Sequence, residues 1–354
     1  MKIAFFLTGH GFGHGVRNSA IIEKLPENID VEIYTSLPES FFREELDRPY
    51  TLIPCEIDCG CLQTNTVEVD ILATLNRYFE IDANRDTLIT KFSKQLLANG
   101  VDLIIGDIPP LTFPIARAAG IKAISSCNFD WVDIYHPFID AYPIFRPLLQ
   151  RMIQDYKMAD QQIRFTPYMD SHSENDFNKV GLICRPGKSQ RQKFAEKFGL
   201  DIQKKWCLIY VGSFGLDGVA WEKLSAYTDW EFIGLYPLHG AGENYHPIQK
   251  DLTFRYADLT ASVDLVLGKL GYGLVAECIS LGKPILFLGR NGFSEFSMLK
   301  NYIEARGQGL EISLEEFMQV NLQPALKILT DTPVQPVPAL GVSQIFEKIG
   351  VSPG

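Results

Sequence analysis

The sequence predicts an α/β fold built from two successive parallel sheets covered by helices. Three observations carry this. Short buried-strand runs alternate with helical runs, each half opens with a strand running into a glycine-bearing loop, and a polar segment, Tyr168–Lys179, separates the halves.

Taken in order, Lys2–Leu7 is an apolar, aromatic-rich run ending in glycines and reads as a buried strand. Val16–Leu25 follows as a helix and Val31–Thr35 as a second strand. Val101–Ile105 is another strand, Phe113–Ala119 a helix and Ile121–Ser125 the next strand. The rhythm restarts after about residue 180. Trp206–Val211 ends in Gly212-Ser213-Phe214-Gly215, and Glu231–Leu235, Leu252–Phe254 and Leu265–Leu267 read as strands. Leu274–Leu281 is a helix and Pro284–Leu288 a strand. Asp331–Pro338 carries three prolines and is expected to be irregular, with Ser343–Ile349 a short final helix. The expected organisation is an N-terminal domain over 1–175, a C-terminal domain over 180–330 and a Pro-containing tail over 331–354.

Composition excludes several function classes. The 354 residues carry a net charge of −10, so there is no basic excess to neutralise a phosphate backbone and no nucleic-acid partner is expected. No apolar run approaches the roughly 20 residues that span a bilayer. Stable membrane insertion is therefore not expected, although Arg146, Arg151 and Lys157 offer a local basic patch for peripheral contact. The short apolar start is no signal peptide, and a cytoplasmic location is expected. The seven cysteines are expected to be reduced. Cys55, Cys59 and Cys61 lack a second ligand pair nearby, so no metal is expected there.

Two glycine loops carry the candidate chemistry. The first is Thr8-Gly9-His10-Gly11-Phe12-Gly13-His14-Gly15. Its spacing departs from the dinucleotide fingerprint, and the second strand ends in Tyr34-Thr35-Ser36 without a ribose-binding acid. A His10/His14 metal pair has no third ligand at hand. The remaining reading places His14 at a helix start lining a cleft, kept neutral by the helix end and able to act as a general base. The alternative is a helix cap. The second loop is Gly268-Lys269-Leu270-Gly271-Tyr272-Gly273, opening the helix that carries Glu277. Its amides could hold a diphosphate, Lys269 could add charge and Glu277 could reach a ribose. The alternative is that these glycines serve helix–strand packing alone. Gly187-Lys188-Ser189 lacks the first glycine of a Walker A loop, and neither D-x-D nor G-x-S-x-G occurs. The aromatic stretch Asn128–Phe145 could line a pocket or simply fill the core.

These residues resemble the glycosyltransferase-like N-terminal region of L-arabinokinases, itself similar to the MurG-like glycosyltransferases of GT-B fold. TGHGFGHGVR (8–17), IDCGCLQTNTVEVD (57–70), GDIPP (106–110), CNFDWVDIY (127–135), GLICRPGKS (181–189), GKLGYGLVAE (268–277) and KPILFLGRNGFSEFSML (283–299) carry the resemblance. It implies two Rossmann-like domains facing a central cleft and a metal-independent inverting glycosyltransferase. The implied donor is a nucleotide sugar, most simply a UDP-sugar, with no further cofactor. The kinase half of the arabinokinases is not found, so sugar phosphorylation is not carried over.

The resemblance also distributes roles. Gly212, Ser213, Arg185, Lys269, Gly271, Tyr272, Gly273, Glu277, Arg290 and Glu295 fall on the donor side. Gly11, Gly13, Asp58, Gln63, Asn128 and Asp130 fall on the acceptor side. His14 stands where a base is expected, and Asp107 could orient it, bind an acceptor hydroxyl or cap a turn. The alternative function is a non-catalytic sugar- or nucleotide-sugar-binding module. A third is an epimerase with Glu295 as a second acid/base group.

Overall fold

The computed structural model describes residues 1–62, 69–172, 176–211, 218–249, 253–289, 293–332 and 334–352. The chain divides into two compact units. The first comprises Met1–Ile183, Gly292–Met298 and Leu340–Gly354; the second comprises Cys184–Asn291 and Leu299–Ala339.

The first unit is built on a parallel sheet. Its strands are β1 (Lys2–Leu7), β2 (Asp30–Thr35), β3 (Thr51–Pro54), β4 (Leu103–Asp107), β5 (Lys122–Cys127), β6 (Gln161–Phe165) and β7 (Asn178–Val180). Their order is β3-β2-β1-β4-β5-β6-β7. Ile3, Ala4, Phe5 and Phe6 are wholly buried, as expected of a strand covered on both faces. Phe6 stacks on Tyr34 of the neighbouring strand with ring centroids 4.4 Å apart. The sheet grows one way from β1 and the other way from β4. Leu7 pairs with Asp107, so the loops leaving these two strands diverge at the topological switch point.

The second unit repeats the plan with β8 (Lys205–Tyr210), β9 (Trp230–Gly234), β10 (Tyr245–Pro247), β11 (Leu265–Gly268), β12 (Ile285–Leu288) and β13 (Gly309–Ile312). The order is β10-β9-β8-β11-β12-β13, all parallel. Its switch point lies between β8 and β11, where Tyr210 pairs with Gly268. One face packs a core that includes Trp221, Leu224, Phe232, Leu265, Leu286 and Phe317.

Two elements differ from the sequence expectation. The first helix spans Phe12–Ile22, not Val16–Leu25, so Gly13, His14 and Gly15 lie in its first turn. Of the expected strand Leu252–Phe254, Leu252 lies outside the described residues and Thr253 and Phe254 are not in a strand. Phe254 packs instead on Phe194 and Phe198, with centroids 5.1 and 5.9 Å apart. In the aromatic stretch, Phe129, Trp131, Tyr135 and Phe138 are buried, so most of it is core. The final helix, Gly341–Ile349, belongs to the first unit, where the Gly341 N–H donates to the Leu182 carbonyl at 2.9 Å. Among the described residues, no helix is long and apolar enough to cross a membrane.

Candidate functional site

In the first unit the chemistry gathers at the switch point. The helix Phe12–Ile22 puts His14, Arg17 and Asn18 on one face at spacings of three and four. Asp107 closes β4 and Asn128 follows β5. All five side chains are buried. Arg17 Nε donates to Asp107 Oδ2 at 2.6 Å, and its Nη2 donates to Asp107 Oδ1. Arg17 Nη1 donates to Asn128 Oδ1 at 2.8 Å, and Asn128 Nδ2 donates to Glu295 Oε1 at 2.8 Å. Asn18 Nδ2 donates to Asp107 Oδ2. Ile108, next in the chain, holds φ +88° although it is β-branched and 1% exposed. Such strain costs on the order of 1–3 kcal/mol and concentrates at functional sites.

The structure brings His14 and Asp107 together, as expected, and adds Arg17 between them. A base at His14 needs its Nδ1–H directed at Asp107, leaving the Nε2 lone pair free. Nδ1 lies 3.3 Å from Asp107 Oδ1 but only 2.7 Å from Arg17 Nη2. The main partner of Asp107 is therefore Arg17, whose guanidinium the sequence reading passed over. The His14 ring is neutral, as expected, but by a different cause. Burial, then the Arg17 charge, lowers its pKa from 6.5 to about 4. Burial alone would raise the Asp107 pKa; the Arg17 charge and hydrogen bonds outweigh it and bring it to about 2.

Asp58 stands apart from this network. It borders an open-sided cavity of about 360 Å³, also lined by Gly9, His10, Ser36, Glu56 and Arg77. That volume lies near the lower end of the roughly 300–1,000 Å³ range of small-molecule sites. Trp131 Nε1 donates to Asp58 Oδ2 at 2.7 Å. Burial raises the Asp58 pKa to about 6 against the hydrogen bonds from Thr8 and Trp131.

Asp130 is engaged structurally. It caps the helix Trp131–Tyr135 through a capping box with Asp133 and accepts from Arg164 Nη2 at 2.6 Å. An acceptor-side role for it is therefore not supported. Gly11, with φ +93°, and Gly13 both have open space where a Cβ would stand. Gln63 lies outside the described residues.

In the second unit, the loop after β11 leads into the helix Tyr272–Leu281, capped by Gly271. The packing reading holds for Gly268 alone, where a Cβ would stand 2.8 Å from the Tyr210 carbonyl. Gly271 and Gly273 have ordinary backbone angles and nothing within 4 Å of a Cβ. Among the described residues, no contact requires glycine at these two positions. Glu277 is 8% exposed and accepts a long bond from Thr260 Oγ at 3.5 Å. Tyr272 is buried in the first turn, and Arg185 is half-buried at the start of the unit. Lys269 donates its backbone N–H to the Tyr210 carbonyl at 3.3 Å. Gly212, Ser213 and Arg290 lie outside the described residues. Glu295, expected on the donor side, clusters with the first unit through Asn128. All seven cysteines are free thiols, and among the described residues no three His, Cys, Asp or Glu side chains gather as metal ligands.

With this geometry in place, comparison with known proteins sets the frame. No protein-family profile matches the sequence. The chain is 28% identical to an L-arabinokinase of Arabidopsis thaliana over 341 residues, 92% of this chain but 32% of the relative. It thus spans about a third of that protein. MurG of Acinetobacter baumannii superposes with a TM-score of 0.61 at 13% identity, covering 99% of both chains. Phytolacca americana UGT2, solved with UDP-2-fluoro-glucose and pterostilbene, gives 0.64 at 11% identity over 99% of this chain and 93% of its own. A Listeria monocytogenes protein assigned as a UDP-N-acetylglucosamine 2-epimerase gives 0.63 at 14% identity, over 98% and 95%. The chain has the GT-B fold. At these identities the likeness establishes the fold and leaves the chemistry to the site.

Proposed function

We propose that this chain is a glycosyltransferase that takes a sugar from a nucleotide-sugar donor, most simply a UDP-sugar, to an acceptor hydroxyl. The observation that carries the reading is the helix start at Gly271–Gly273, at the switch point of the second sheet, where no contact among the described residues calls for glycine at 271 or 273. A diphosphate there meets backbone N–H groups and the positive end of a ten-residue helix. Lys269 and Arg185 add cationic charge, and Glu277 is the candidate for the ribose hydroxyls. A fold shared with MurG and with a plant enzyme solved with a UDP-sugar analogue supports this reading.

The reaction is an inverting displacement without a metal. The acceptor O–H gives its proton to Asp58, whose raised pKa suits a base working near neutrality. The hydroxyl oxygen bonds to the anomeric carbon from the face opposite the diphosphate. The carbon–oxygen bond to the β-phosphate breaks, the UDP oxygen keeps the electron pair, and the N–H groups at Gly271–Gly273 stabilise its new charge. Phosphorylation of a sugar is not proposed.

The test is turnover. The protein is incubated with UDP-, dTDP-, GDP- and ADP-sugars and a panel of sugar and polyol acceptors, and products are read by proton NMR. Nucleoside diphosphate release with an inverted anomeric linkage is expected. A retained linkage refutes the displacement, and a change in the donor sugar alone identifies an epimerase.

A further inference from the structure

The Arg17 guanidinium donates to both oxygens of Asp107, to Asn128 Oδ1 and, through Nη2, to His14 Nδ1 at 2.7 Å. A guanidinium has no lone pair and does not lose a proton in proteins. Nδ1 must therefore supply the lone pair in that contact. A neutral imidazole has one lone pair and one N–H, so the proton resides on Nε2. The 3.3 Å approach of Nδ1 to Asp107 Oδ1 is then a contact between two acceptors, tolerated because Arg17 lies against both. Asp107 has no need of a His14 proton, since Arg17 and Asn18 already supply its hydrogen bonds.

We infer that Arg17 is a positioning residue that holds His14 in the Nε2–H form, so that the ring donates a hydrogen bond to a substrate oxygen and does not serve as a base. The second observation is the state of Nε2. The residue is 6% exposed, and among the described residues Nε2 has no hydrogen-bond partner. An N–H at the accessible edge of a ring otherwise packed in the protein, with no acceptor from the described residues, is available to an oxygen that a ligand brings. The ligand class is one presenting an oxygen lone pair, such as a sugar hydroxyl or ring oxygen. The ligand assignment rests on the proposed glycosyl transfer, whereas the tautomer does not. The low pKa of the ring agrees, because protonation would place a second cation against Arg17.

The tautomer is read directly by nitrogen-15 NMR of histidine-labelled protein at pH 7, with the His14 signals assigned by their loss in His14→Gln. Nδ1 is expected in the unprotonated range and Nε2 in the N–H range. A protonated Nδ1 in the wild type overturns the inference, whatever the enzyme proves to do. In Arg17→Lys the compact ammonium cannot serve Asp107, Asn128 and His14 together. The Nε2–H form is then expected to fall to half or less of the population. An unchanged spectrum in a folded Arg17→Lys protein removes Arg17 as its cause. In the turnover assay, His14→Gln keeps a side-chain N–H donor and is expected within about tenfold of wild type, while His14→Ala loses more. If both variants lose the roughly 10²–10⁴-fold expected on removal of a general base, the donor role is wrong.

Discussion

Asp107→Asn tests whether the centre of the first unit is held by charge pairing. The substitution keeps the shape of the side chain and removes its charge. In the native protein the Arg17 and Asp107 side chains are 2% and 0% exposed, so water cannot take over the lost interaction. Both carboxylate oxygens receive donors, Arg17 Nε and Asn18 Nδ2 on Oδ2 and Arg17 Nη2 on Oδ1. An amide turns one of these acceptors into an N–H facing other N–H groups and removes the carboxylate that the buried guanidinium pairs with directly. Breaking one partner of a buried pair typically costs about 3–5 kcal/mol. For a unit of this size each kcal/mol moves the midpoint by about 2–4 °C, which gives a drop on the order of 10 °C. Differential scanning calorimetry reads this as a lower midpoint of the transition in which the first unit unfolds. Arg17→Met should behave alike, and the double variant should lose at least about 2 kcal/mol less than the sum of the singles. A midpoint for Asp107→Asn within about 2 °C of wild type would refute the pairing argument. A lost activity in this variant reports on folding before it reports on proton transfer.

Other predictions follow from the same geometry. Gly273→Ala meets no neighbour, so it should leave the fold intact, or stabilise it by about 0.5–1 kcal/mol, while weakening nucleotide binding measured by calorimetry. Unchanged nucleotide affinity would remove the helix start as the diphosphate site. The folded pKa of His14, about 4, lies below its unfolded value of 6.5. Its contribution is therefore complete above pH 6.5 and lost as pH falls toward 4. The stability advantage of wild type over His14→Gln should shrink by roughly 3 kcal/mol across that window, and a flat difference curve contradicts it. Asp58 has the opposite sign, since its pKa rises from 3.8 to about 6 and ionisation in the folded state is penalised. Asp58→Asn should therefore melt higher than wild type at pH 7.5, lose that gain by pH 4, and turn over about 10²–10⁴-fold more slowly. Equal melting at both pH values, or unchanged turnover, counts against the base assignment.

The fold was largely legible because the inner strands are continuous apolar runs. IAFFL in β1, LIIG in β4 and LVLG in β11 are buried on both faces, and periodicity finds such segments. Edge strands were not legible. Thr51–Pro54, Asn178–Val180 and Tyr245–Pro247 are only three or four residues long and include proline or polar residues, so no apolar run marks them. The candidate site was legible where its reason is local. The loop Gly268–Gly273 announced a helix start, and the structure then separated Gly268, which packing requires, from Gly271 and Gly273, which packing does not. Arg17 was passed over because the glycines at 11, 13 and 15 moved the expected helix start to Val16. With the helix begun at Phe12, the spacing from His14 to Arg17 and Asn18 would have flagged the cluster. The engagement of Asp130 by Arg164 joins residues 34 apart in sequence and leaves no local signal.

The central claim is that the second unit holds a nucleotide sugar at Gly271–Gly273 and Glu277. Thermal unfolding with UDP, dTDP, GDP, ADP and their sugar conjugates, alongside Glu277→Gln, tests it most directly. A nucleotide at about 100 times its Kd should stabilise the protein by roughly 2.7 kcal/mol. The account predicts such a shift with UDP and UDP-sugars that Glu277→Gln abolishes. No shift with any nucleotide, or one that Glu277→Gln leaves intact, contradicts it.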